Sequence, residues 1–119
     1  MAKTSNIANN LWFVGQDTSL QFDVVNAAGT AQTMTGWALE FILRDQEDDA
    51  EVLKKTVAGG GITIGNGSGT NDRATVVILR ADTLALVPGA YDYALWRTDA
   101  SNSVVLALGT AVLAAVPRQ

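Results

Sequence analysis

Apolar residues fall at every second position in three separate stretches of this chain, and that period leaves few folds open. In "LQFDV", Leu20, Phe22 and Val24 share one face, with Gln21 and Asp23 on the other. "WALEFILR" sets Trp37, Leu39, Phe41 and Leu43 against Glu40 and Arg44, and "YDYALW" sets Tyr91, Tyr93 and Leu95 against Asp92. Side chains alternate across a strand, so each stretch predicts a strand with one buried face. Burying the four inward residues of the Trp37 stretch contributes on the order of 6–12 kcal/mol before chain entropy is subtracted.

Turn signals separate these stretches. "NAAGT" suits a tight turn, while "AGGGI" and "GNGSGTND" supply the backbone angles that other residues resist. "VPGAY" marks a corner and "TDASNS" a further hairpin. The predicted strands are 10–14, 18–25, 37–44, 51–57, 61–65, 73–79, 90–98 and 104–114. Only "ADTLAL", from Ala81 to Leu86, suits a helical turn, closed by Pro88 and Gly89. Many short strands with turns between them predict an all-β chain, a sandwich or barrel. At 119 residues it forms one domain, expected over 10–116, with a flexible amino-terminal arm (1–9) and a short tail (117–119).

Composition removes whole classes of function. The chain has no histidine and no cysteine, which excludes serine–histidine catalysis, thiolate zinc sites and disulfides. The formal charge is −4 and the cations are scattered, so no basic stripe is present to neutralise nucleic-acid phosphates. "VVLALGTAVLAAV", from Val104 to Val116, is the longest apolar run and is too short to cross a bilayer as a helix. The expectations are no enzyme activity, no cofactor, no metal, no nucleic-acid partner and no membrane partner.

One segment carries a more specific resemblance. In "DTLALVPGAYDYALW", a turn with leucines leads through a Pro88–Gly89 corner into a strand that starts on a tyrosine. This resembles the crossover corner of immunoglobulin-like sandwiches, where a tyrosine hydroxyl bonds nearby backbone. The resemblance implies that role for Tyr91, with Tyr93 the alternative. It also implies that Trp37 is the core tryptophan, although the paired cysteines of antibody domains are missing. The implied fold is an immunoglobulin-like antiparallel β-sandwich of about 7–9 strands.

The order of segments over residues 14–116 is similar to small structural proteins of tailed bacteriophages. In particular it resembles the amino-terminal domain of baseplate upper proteins and stand-alone virion modules. Baseplate and fibre subunits continue into a long extension; none follows here, which favours a separate capsid decoration, or cement, protein. The resemblance implies a virion location after synthesis in the bacterial host. Its partners would be the major capsid protein or another virion subunit, with self-assembly, in the manner of a trimer or other homo-oligomer. The alternatives are a baseplate, tail or fibre-attachment adaptor and, in another class, a carbohydrate-binding module.

The acidic run "DQEDDAE" fails the EF-hand spacing, because the positions for glycine and glutamate hold Ala50 and Thr56. It reads as a solvated loop, with a different cation site as the alternative. The glycine loops lack the lysine and following helix of a phosphate cradle and read as turns. Glu40 and Asp92 could form a glycosidase-like pair or be ordinary surface carboxylates. Alternation sends Trp96 outward beside Ala94 and Ile42, unless a bulge turns it into the core. The carboxyl-terminal strand, with Val112 and Leu113, is apolar on both faces, as a central strand or one covered by another subunit would be. The expected contact residues are therefore Ile42, Ala94, Trp96, Val112 and Leu113.

Overall fold

The computed structural model describes residues 17–67, 69–99 and 103–114, together with the strand backbone of 3–6 and 11–13. Among them lie nine strands and one helical turn. In chain order the strands are β1 (Lys3–Asn6), β2 (Leu11–Phe13), β3 (Thr18–Val25), β4 (Leu39–Asp45), β5 (Glu51–Thr56), β6 (Ile62–Gly65), β7 (Arg73–Ile78), β8 (Gly89–Arg97) and β9 (Val104–Ala114). The helical turn α1 (Arg80–Thr83) connects β7 to β8. The strands form two sheets, ordered β1-β3-β7-β6 and β2-β9-β8-β4-β5, which pack as a β-sandwich.

The core is the meeting of the two alternating faces. Leu20, Phe22, Val24, Ile62, Ala74, Val76 and Ile78 come from the first sheet. Leu39, Phe41, Leu43, Tyr91, Tyr93, Leu95, Ala111 and Leu113 come from the second. Three rings join the layers: Phe22 lies 6.0 Å from Tyr93 edge-on and 6.5 Å from Phe41, and Phe41 and Tyr93 stack at 5.6 Å. Small residues make room for them. Ala74 is the cross-strand neighbour of Phe22, and Gly109 that of Tyr93. A Cβ built on Gly109 would collide with the hydroxyl end of the Tyr93 ring, so any side chain there forces the ring to move.

Polar contacts fix the connections. The Tyr91 hydroxyl donates to the Val87 carbonyl at 2.5 Å, tying the head of β8 to the corner before it. Lys55 sits on the inward side of edge strand β5, opposite Phe41, and its ammonium reaches the Asp82 carboxylate in α1 at 2.6 Å. Asp82 also accepts the Leu79 N–H at 2.7 Å, which holds the first turn of α1. An inward-pointing charge on a sheet edge discourages pairing with a further strand.

Several expectations need correction. Trp37 is only half-buried: the β4–β8 ladder begins at Leu39, so Trp37 precedes it and packs at the margin of the core. The Arg97 guanidinium covers its ring at 3.9 Å. Lys3–Asn6, within the stretch expected to be an arm, pairs antiparallel with Phe22–Val25. The sheets are not wholly antiparallel, because β2 runs parallel to β9. The chain passes from the edge of one sheet at β1 to the edge of the other at β2. The helical turn starts one residue earlier than expected and ends at Thr83. The tail 117–119 and residues 100–102 of the "TDASNS" hairpin lie outside the described residues.

The ring cluster predicts a ranking of substitutions. Gly109→Ala should lower stability by roughly 1–3 kcal/mol through overpacking, and Phe41→Ala by about 3–5 kcal/mol through the cavity it leaves. Tyr91→Phe should lose only about 1 kcal/mol, one hydrogen bond. Urea unfolding of the three variants checks that order.

Candidate protein-contact face

The two outer faces of the sandwich differ sharply. On the four-stranded sheet, the residues alternating with the core are mostly polar: Ser19, Gln21, Asp23, Thr63, Arg73 and Thr75. Arg73 grips Asp23 through both carboxylate oxygens, at 2.6 and 3.0 Å. That fork, opposed by partial desolvation and helped by the charge of Asp72, raises the Arg73 pKa above its ordinary value.

The five-stranded sheet presents Glu40, Ile42 and Arg44 from β4, and Asp92, Ala94 and Trp96 from β8. Cross-strand pairing places Glu40 beside Trp96, Ile42 beside Ala94 and Arg44 beside Asp92. On β9, Leu108 pairs with Ala94 and stands 72% exposed, and Val112 pairs with Ala90 at 44%. Ile42, Arg44, Asp92, Ala94, Trp96 and Leu108 surround a depression of about 260 Å³, floored by the small Ala94.

Of the expected contact residues, Ile42, Ala94 and Trp96 meet in this depression, and Val112 lies farther along the same sheet. Trp96 keeps its outward side but is half-buried among its neighbours. Leu113 is a correction: it is 1% exposed and belongs to the core. Leu108, the most protruding apolar residue of this face, escaped the sequence reading. A bulge explains why. Leu95 pairs with Ala107 but Trp96 with Val105, leaving Leu106 as an extra residue on β9. Leu106 and Ala107 are both buried, so the alternation changes phase and Leu108 emerges outward.

The other candidates resolve into structural roles. The acidic run closes a hairpin, with Asp45 N–H bonded to the Ala50 carbonyl at 2.9 Å. Asp45 and Asp48 carboxylates accept the Glu47 and Ala50 amides at 2.8 and 3.0 Å. Among the described residues, no three acidic side chains gather as a metal site would require. Asp45, Gln46 and Glu47 border a second hollow of about 300 Å³ against Val87–Tyr91. Burial, then the charges of Asp45 and Asp48, raise the Tyr91 pKa there.

In the glycine loop, the buried Asp72 accepts the amides of Gly67 and Gly69 at 2.7 and 3.2 Å. Those N–H groups point at an internal carboxylate, so the loop does not cradle an external phosphate with them. Glu40 and Asp92 are separated by four residues along the strand direction, about 13 Å, too far for the paired carboxylates of a glycosidase. Lys54 approaches Glu40 at 3.5 Å, and Gln46 donates to Asp92 at 2.8 Å.

A scan against protein-family models finds no match, and a search of curated proteins finds none either. The geometry of the chain itself therefore carries the functional argument.

A charged cluster caps the margin of the core beside Trp37. Asp99 accepts a double bond from Arg97 at 3.0 and 2.8 Å and the Ala38 amide at 2.5 Å. The Arg97 hydrogen bonds first, then the Ala38 amide, hold the Asp99 carboxyl below the usual carboxylate range. A depressed carboxylate stabilises the fold above its unfolded pKa and loses that effect as pH falls through the folded one. Asp99→Asn should therefore melt below wild type at neutral pH, and the gap should close in strong acid; parallel thermal melts check it.

Proposed function

We propose that this chain is a structural protein of a tailed-phage virion that works by adhesion, most specifically a capsid decoration protein bound to the outer shell. The single observation that carries an adhesive role is the apolar strip on one outer face, where Leu108 stands exposed beside the half-buried Ile42, Ala94 and Trp96, opposite a polar face. Apolar patches rimmed by charge mark contact surfaces in soluble proteins. The partner in this reading is the major capsid protein or another virion subunit, with many copies reinforcing one another.

An immunoglobulin-like arrangement belongs to the same proposal. Lettered in chain order, β1, β3, β7 and β6 take the places of strands A, B, E and D, facing β9, β8 and β4 as G, F and C. The Tyr91 bond to Val87 supports that lettering, because it lies at the start of the strand in the F place. Phe22, Phe41 and Tyr93 then occupy the inter-sheet region that antibody domains fill with a disulfide and a tryptophan.

Purified protein should co-sediment with undecorated phage shells, and Leu108→Glu should greatly reduce the bound fraction without shifting the melting temperature. Failure of the wild-type chain to sediment across a range of salt would overturn the proposal. So would equal binding by the variant.

A further inference from the structure

We infer that the partner of the apolar sheet face is a second copy of this chain, apposed face to face about a two-fold axis. The inference rests on the reading of that face as a contact surface and assigns it an occupant; the shell would then be held by other surfaces of a bivalent pair.

The charge pattern argues for self-recognition. Along β4, Glu40 and Arg44 lie two residues to either side of Ile42 and share its outward direction. A two-fold axis running across the strands through the Ile42–Ala94–Leu108 row exchanges these two positions. Each Glu40 then faces the other copy's Arg44, and each Arg44 the other copy's Glu40. An isologous interface requires this kind of self-complementarity, in which one residue meets another and the reverse contact repeats.

The same rotation exchanges Asp92 with Trp96, bringing a carboxylate acceptor beside an indole that can donate. It stacks the apolar rows on each other, so that the exposed Leu108 of each copy leaves water. The same axis sets Lys54 of edge strand β5 opposite the other copy's Lys54, at the solvated rim, where each also stands 3.5 Å from its own Glu40 and water screens the like charges. A two-fold along β8 itself would instead set Asp92 against Asp92, which the like charges oppose.

The size of the face suits a weak pair. Its four strands hold 11, 9, 7 and 6 residues, and at about 4.8 Å between strands and about 3.3 Å per residue they span roughly 500 Å² per copy. Standard interfaces bury about 800 Å² on each side, so this one falls below that size and should dissociate on dilution.

Sedimentation velocity of the full chain alone, over a wide concentration range, tests the inference. Wild type should shift reversibly from monomer to dimer, and Leu108→Glu should stay monomeric at the same melting temperature. Glu40→Arg or Arg44→Glu alone should weaken dimerisation at least about tenfold, by placing like charges across the axis. The double variant should regain most of it, since the exchanged pairs are restored. A dimer indifferent to Leu108→Glu, or single and double charge variants equally weak, would overturn the inference. A wild-type chain that stays monomeric overturns it too. If Leu108→Glu nevertheless abolished binding to shells, the adhesive face would stand with a foreign partner; if shell binding were also unchanged, both readings would fall.

Discussion

Phe22 reaches from one sheet to touch Phe41 and Tyr93 of the other, and the spacing of the two layers depends on that three-ring contact. Aromatic rings bury much area with few rotatable bonds, and tilted or offset pairs add to burial alone. The chain has no cysteine to staple the layers, so ring packing takes that place. Its demands spread outward: Gly109 and Ala74 must be small because the rings beside them are large. Interiors packed this closely tolerate few changes of volume.

Polar groups specify what the apolar core leaves free. Tyr91 anchors the corner before β8, Asp72 organises the glycine loop from inside, and Lys55 ties edge strand β5 to α1. Asp72 lies in the connection before β7 and accepts amides that have no ladder partner there, whereas Tyr91 and Lys55 reach out from within their strands to hold the segment between β7 and β8. The result is a frame whose loops are bonded to the protein itself, with exposed apolar side chains on one sheet face (Leu108 and Val112) and around α1 (Leu79, Leu84 and Val87).

Much of the frame was legible in the alternation. Leu20, Phe22, Val24, Leu39, Phe41, Leu43, Tyr93 and Leu95 are all buried, and most strand limits differ from expectation by one or two residues. Period two tells which side of a strand is apolar, but not which strand lies next to it. The parallel β2–β9 pair, the strand at Lys3–Asn6 and the Lys55–Asp82 bridge therefore had no local signature. The contact face was read only in part for a related reason. An apolar strand buried on one side and uncovered on the other looks the same in sequence as one buried on both. The bulge at Leu106 then shifted the phase, so that Leu113 turned in and Leu108 turned out.

The fold thus rests on a partition of apolar side chains, most of them inward between the sheets, with Leu108 and Val112 outward on the five-stranded sheet. A chain without cysteine allows this partition to be read one residue at a time. The direct measurement is the maleimide labelling rate of Leu108→Cys and Leu113→Cys in dilute native protein. Leu108→Cys should react nearly as fast as in denaturant, and Leu113→Cys should be strongly protected until the protein unfolds. Equal rates at the two positions, or protection of position 108 instead, would contradict the account.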